Sequence, residues 1–199
     1  MIVAGIDCGA KNTKTVIMKD HRIIGKGLVV TGFEQEKAVK ESFEAALEDA
    51  GMEAGEIEMR AATGAGMDEI KDADIKVTEV KAMARAAHFF FPSARTVTDV
   101  GAETGRAVKI DGKGNVRDFA INENCAAGTG AFIEAMARAL EVELEEMGPM
   151  AMESDKSIPM NAQCAIFAES EVVGLIHSRR QRRTSARRSM TPWRAGSRP

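Results

Sequence analysis

A strand-length apolar run that ends in Asp-x-Gly occurs twice in this chain of 199 residues, closing on Asp7-Cys8-Gly9 and again on Asp99-Val100-Gly101. Each time a second run with strand periodicity follows the glycine turn, over residues 14–19 and 106–111. Two such runs joined by a short polar turn form a β-hairpin, so both halves of the chain open antiparallel. A buried strand ending on aspartate puts a carboxylate at the sheet's edge. The glycine after it lets backbone N–H groups approach an anion closely. Around the first turn, Gly9, Lys11, Asn12, Thr13 and Lys14 offer donors; around the second, Gly101 and Ala102 do. Two such turns facing each other would clamp a polyphosphate, with Asp7 and Asp99 holding Mg²⁺ or its waters. The plainer reading is that both are hairpin turns with no ligand.

The remaining periodicities fill in an α/β chain. Residues 22–31 read as a third strand with Gly25 and Gly27 as bulges. Residues 34–50 read as an amphipathic helix with Ala38, Phe43, Ala46 and Leu47 on one stripe. A strand over 57–63 closes at Gly64, and a helix over 79–90 stops before Pro92. The pattern then restarts with strands over 95–100, 106–111 and 116–121. Helices over 125–142, 143–148 and 164–177 complete it. The expected domains are 1–92 with the first loop, 93–177 with the second, and a tail over 178–199. Phe89-Phe90-Phe91 is expected to tuck a helix end into the core. Met136, Met147, Met150, Met152 and Met160 read as core or interface filler, and His21, His88 and His177 as surface or packing residues.

Charge separates the tail from the body. Residues 1–177 hold 19 basic against 30 acidic side chains, a net −11, while 178–199 hold eight arginines and no acid. That tail reads either as a basic arm for nucleic acid or as an end foreign to the domain, such as a frameshift product. The abrupt change of composition favours the second, and an acidic body argues against nucleic acid. No run of apolar residues is long enough to span a bilayer, and none follows a basic leader, so a cytoplasmic protein without a membrane is expected.

Three cysteines are too few and too dispersed for a disulfide scaffold. Cys125 and Cys164 each stand before an expected helix, where the helix N-terminus favours a thiolate. They are 39 residues apart, so they form no local Cys-x-x-Cys knuckle. A [4Fe–4S] cluster needs four thiolates. With Cys8 tied to the first turn, a dimer giving two cysteines per subunit is one solution. Two buried, inert cysteines are the other.

The wording around these sites resembles a known group of proteins. Asp7-Cys8-Gly9-Ala10-Lys11-Asn12-Thr13-Lys14 and Asp99-Val100-Gly101-Ala102-Glu103 look like the two phosphate loops of the actin/sugar-kinase/Hsp70 ATPase fold, with its duplicated ribonuclease H-like subdomains. No Walker A motif is present. Residues 125–134 and 163–172 resemble the two cluster segments of the BadF/BadG/BcrA/BcrD-type family of ATP-driven electron activators. The family comprises activators of 2-hydroxyacyl-CoA dehydratases and ATPase subunits of benzoyl-CoA reductases.

The resemblance covers residues 1–177 and implies ATP, Mg²⁺ and one [4Fe–4S] cluster held between two subunits by Cys125 and Cys164 and their counterparts. It implies catalytic roles for Asp7, Asp99 and Glu103, with Glu103 positioning the attacking water where other branches carry Gln. Gly101-Ala102-Glu103-Thr104 looks most like the smaller, D-type ATPase subunit of benzoyl-CoA reductase. That branch implies a paralogous ATPase subunit as partner, catalytic reductase subunits, and ferredoxin as electron donor. A dehydratase activator is the alternative within the family. A small-molecule kinase of the same fold without iron, or an ATP-sensing domain without turnover, are alternatives outside it. Family members continue past the position of His177, so the second subdomain is expected to be truncated, without its adenosine contacts.

Overall fold

The computed structural model describes residues 1–122, 129–155 and 165–177. They fall into two compact units. One holds Met1–Val97 with Val108–Asp118; the other holds Thr98–Ala107 with the described residues from Phe119 onward.

The first unit begins as the sequence reads. Strands β1 (Ile2–Cys8), β2 (Asn12–Lys19) and β3 (Arg22–Val30) form a meander, and α1 (Gln35–Ala50) packs on it. Strand β4 (Met59–Thr63) then lies parallel to β1, and the short β5 (Ile75–Lys76) parallel to β4, giving the order β3-β2-β1-β4-β5. Side chains alternate across a strand. Ala4, Ile6 and Cys8 of β1 and Thr13, Thr15 and Ile17 of β2 are therefore all buried, and they share the sheet's core with Val39, Ala46 and Leu47 of α1. Thr15 and Ser42, both buried, satisfy each other across this contact at 2.9 Å. The helix ends at Gly51, whose φ of +62° lets its N–H and that of Met52 close on the carbonyls of Glu48 and Leu47.

Gly25 and Gly27 have a different role from the one their place in a strand suggests. The ladder slips at Ile24, opposite Ile17 and Met18. The glycines instead let α1 lie directly on β3. A Cβ on Gly25 would stand 2.3 Å from the carbonyl oxygen of Ala46, and one on Gly27 would stand 1.8 Å from that of Ser42.

Helix α2 (Glu79–Phe90) and the sheet β6 (Thr96–Val100), β7 (Gly105–Ile110) and β8 (Val116–Asn122), in the order β6-β7-β8, come next. Ala84 of α2 is buried with Val108 and Ile110 of β7. The turn between β7 and β8 is locked by Asp111. Its carboxyl is held down at about 2, chiefly by the Asn115 N–H, then by the Asn115 side-chain amide and the Lys113 N–H. Phe89, Phe90 and Phe91 do not enter the core: they are exposed, with Phe89 and Phe90 packed edge to face. The stripe that α2 buries runs through Val80, Met83, Ala84 and Ala87, and the three phenylalanines follow its last member.

The second unit buries α3 (Gly130–Ala139), α4 (Leu144–Glu153) and α5 (Ala165–His177) around Phe132, Met136, Leu140, Met147, Ala168 and Val172. Helix α3 begins later and ends sooner than expected. Thr129 is extended at φ −88° and ψ 167°, and Glu141 turns left-handed at φ +54°, with Val142 N–H closing on the Ala137 carbonyl. Helix α4 runs past Gly148 and Pro149, because Met147 and Ala151, one turn apart, are both buried. Of the methionines, Met136 and Met147 are core, and Met152 is exposed. No helix among the described residues is long and apolar enough to cross a membrane.

Candidate functional site

The first Asp-x-Gly turn is built by three strands. β1 and β2 pair Asp7 with Lys14 and Cys8 with Thr13, and the parallel ladder pairs Asp7 with Thr63. The ammonium of Lys14 sits 3.2 Å from Asp7 Oδ2, with the lysine side chain 52% exposed. A pair this wet contributes under about 1 kcal/mol, so an incoming anion can draw the lysine away. Inside the turn, Gly9 N–H donates to the Asn12 carbonyl at 3.2 Å. A Cβ on Gly9 would come within 2.8 Å of that same carbonyl oxygen. Thr31, buried at the end of β3, donates its hydroxyl to the Gly9 carbonyl at 2.8 Å and ties the turn again through its own N–H, which donates to the Lys11 carbonyl.

Thr13 stands on the other side of the strand from its neighbours. Its hydroxyl is buried, 2.9 Å from that of Thr31 and donating to Cys8 Sγ, so the expected phosphate contact is not available to it. Asn12 belongs to β2 rather than to the turn. Residues after β4 close the back of the turn. Gly66 N–H donates to the Cys8 carbonyl at 2.8 Å, and Gly64, at φ +94°, passes so close that a Cβ would stand 2.5 Å from Asp7 Oδ1. The hydroxyl of Thr63, in register with Asp7, is buried and bonded to no other group.

The second turn repeats the first. Asp99 is the penultimate residue of β6, Gly101 N–H donates to the Thr104 carbonyl at 2.9 Å, and Arg106 on β7 reaches Asp99 Oδ2 at 3.2 Å. The start of α3 is seated on it: Gly130 N–H donates to the Gly101 carbonyl at 2.9 Å and Ala131 N–H to the Ala102 carbonyl at 3.1 Å. A helix N-terminus carries unpaired N–H groups and partial positive charge. Here two of those groups fix the loop's backbone. Glu103 is exposed within the turn.

Cys8, placed in the turn by the sequence, is buried with a free thiol. Burial pushes the thiol up, the Thr13 hydroxyl partly offsets this, and the Asp7 and Glu69 carboxylates add to it. A protonated, enclosed thiol is a poor nucleophile. Iodoacetamide at pH 8 is therefore expected to leave Cys8 unmodified in the folded chain and to label it after denaturation, read by peptide mass mapping. Labelling at equal rates in the two states would contradict the packing of this turn. Cys125 and Cys164 lie outside the described residues. Among the described residues no group of three or more His, Cys, Asp or Glu side chains is arranged to hold a metal ion.

Several residues that build the site carried no sequence signal of their own. Thr31, Thr63, Gly64 and Gly66 reach the first turn through the parallel β1–β4 ladder and the end of β3, and Arg106 reaches the second through hairpin register. The donor set suits a magnesium nucleotide on two counts. A Cβ would collide with backbone at Gly9 and crowd it at Gly101, where backbone would meet an anion, and the buried Thr63 hydroxyl lacks a partner beside a carboxylate.

Comparison with known proteins gives the family. The BadF/BadG/BcrA/BcrD ATPase family profile matches residues 4–180. The activator of lactoyl-CoA dehydratase from Anaerotignum propionicum is 36% identical over 87% of this chain and 67% of its own length. A benzoyl-CoA reductase subunit from Thauera aromatica is 30% identical over 88% of this chain and 64% of its own length. The solved activator of the 2-hydroxyisocaproyl-CoA dehydratase from Clostridium difficile, with bound ADPNP, superposes with a TM-score of 0.84 at 29% identity, covering 96% of this chain and 72% of that one. A ROK family glucokinase from Streptomyces griseus, 12% identical, covers 96% of this chain and 75% of its own with a TM-score of 0.51, and speaks for the fold alone. The chain spans about two thirds of the length of the curated relatives it matches. Its α/β architecture is the actin/sugar-kinase ATPase fold, and the chain belongs to the BadF/BadG/BcrA/BcrD ATPase family.

Proposed function

We propose that this chain is the nucleotide-binding part of an ATPase that activates a CoA-thioester enzyme of the 2-hydroxyacyl-CoA dehydratase type. The observation that carries the ATPase reading is the duplicated turn, with aspartate, glycine and cation set alike at Asp7–Lys14 and Asp99–Arg106. In it, Asp7 and Asp99 hold Mg²⁺. Gly9, Lys11, Asn12 and Lys14 receive one end of the phosphates, and Gly101 and Ala102 the other. Glu103 positions the attacking water. Mg²⁺ supplies charge neutralisation between phosphate oxygens. The bound ADPNP of the 29%-identical activator supports this ligand class.

Dehydratase activation is preferred as the branch because the lactoyl-CoA dehydratase activator is 36% identical, against 30% for the benzoyl-CoA reductase relative. The reductase branch stays as a second reading for one reason, the Gly101-Ala102-Glu103-Thr104 wording of the second turn. In both, a second ATPase subunit shares a [4Fe–4S] cluster held by Cys125 and Cys164, a ferredoxin-type donor supplies electrons, and a catalytic component accepts them. The cysteine assignment rests on sequence motif alone.

Anaerobic purification with iron and acid-labile sulfide analysis tests the cluster. Cys125→Ser and Cys164→Ser are each expected to lose most of the iron that the unaltered chain retains. Full iron in both variants would remove these cysteines as ligands. An iron-free chain that transfers phosphate to a sugar would make it a kinase instead. ATP-dependent activation assayed with dehydratase and with reductase components separates the two branches.

A further inference from the structure

The two turns are one device built twice, with opposite exposure. In each, a cation seven residues after the aspartate meets its Oδ2 at 3.2 Å. Each glycine N–H closes on the carbonyl three residues on. The cations differ: the Lys14 side chain is 52% exposed and that of Arg106 10% exposed. A lysine ammonium on a flexible stem is a mobile point charge. A guanidinium is planar and always charged, and a buried one is costly to separate from its carboxylate. Arg106 also lies against the turn itself, its Nη1 3.4 Å from where a Cβ on Gly101 would be.

We infer that Arg106 is a positioning residue that fixes the Asp99 carboxylate for a divalent cation without touching the nucleotide, whereas its counterpart Lys14 leaves Asp7 to contact phosphate. The division of labour rests on the magnesium-nucleotide reading above. It predicts that the two variants respond differently to metal. Lys14→Gln weakens nucleotide binding whether or not metal is present. Arg106→Gln alters only the metal-supported part.

The test is equilibrium binding of a fluorescent ATP analogue to the full 199-residue chain, with Mg²⁺ titrated and with EDTA. Residues that orient metal ligands typically change metal affinity 10–100-fold, so Arg106→Gln is expected to raise the half-saturating Mg²⁺ concentration about tenfold while binding in EDTA stays as it was. Arg106→Lys, which keeps the charge, recovers part of that shift. In an Asp99→Asn background, Arg106→Gln adds no further shift, because its effect passes through that carboxylate. Thermal melts accompany each variant. Should Arg106→Gln fail to fold, Arg106→Lys carries the test, with a smaller shift in the same direction and unchanged binding in EDTA. Equal weakening with and without Mg²⁺ would make Arg106 a phosphate ligand and overturn the inference. An unchanged Mg²⁺ requirement in a folded variant would reduce it to packing and overturn it too. An unaltered chain that binds no nucleotide at all would sink the underlying reading, and the inference with it.

Discussion

Gly27→Ala is expected to destabilise the chain by about 3 kcal/mol, the upper part of the usual overpacking range. For a protein of this size that is a fall of roughly 6–12 °C in Tm, read by circular dichroism. The added Cβ would stand 1.8 Å from the Ser42 carbonyl oxygen and 2.9 Å from the Ala46 nitrogen. Both are backbone atoms of α1, so no side chain can rotate away. The helix must lift off β3, and lifting it strains the buried Thr15–Ser42 bond and opens the core around Ala46 and Leu47. Gly5→Ala is the matched control, since a Cβ there meets nothing within 4 Å. That change is expected to stay within about 0.5 kcal/mol, as surface substitutions do. A Gly27→Ala chain that melts with the unaltered one would mean α1 does not lie on that strand.

The same glycines mark how far the sequence could be read. Strand periodicity and Asp-x-Gly located both hairpins to within two residues, and the first helix to within one, because those signals are local. A glycine in a strand has two meanings, a bulge or a close backbone approach, and only the partner decides between them. Gly25 and Gly27 read as bulges, and only the placement of α1 gives them the second meaning. The start of α3 had a signal that the apolar run outweighed. Thr129 is a preferred residue type at a helix boundary, and the helix begins after it, five residues beyond Cys125. Phe89, Phe90 and Phe91 look like core by composition, but the stripe that α2 buries stops before them. In the site, Asp7, Asp99 and the two glycines were legible because the motif is contiguous. The inward turn of Thr13 follows from strand alternation once β2 is known to start at Asn12. Thr63 and Gly64 were not legible, since a parallel ladder between β1 and β4 brings together residues more than fifty apart, and Thr31 was not, since it reaches the turn from the far end of β3.

Asp7→Asn and Asp99→Asn are each expected to cut ATP hydrolysis about 10²–10³-fold, the scale of losing one group that stabilises developing charge. A phosphate-release assay with the Mg²⁺-loaded chain reads this. The two differ in what they leave behind. Asp7→Asn leaves Lys14 as a half-exposed cation that water can solvate, so stability should hardly change. Asp99→Asn removes one charged partner from a largely buried guanidinium. A hydrogen bond to a charged group contributes about 1.5–3 kcal/mol, and Asp99's own exposure keeps the expected loss near the lower end of that range. Comparable losses of turnover with a drop in Tm in Asp99→Asn alone would separate chemistry from support: each carboxylate serves the reaction, and only the second also anchors the fold around its turn. Retained turnover in either variant would remove that aspartate from the reaction. A lowered Tm in Asp7→Asn instead would reverse the assignment of which loop is braced from within and which is free to exchange its cation with a ligand.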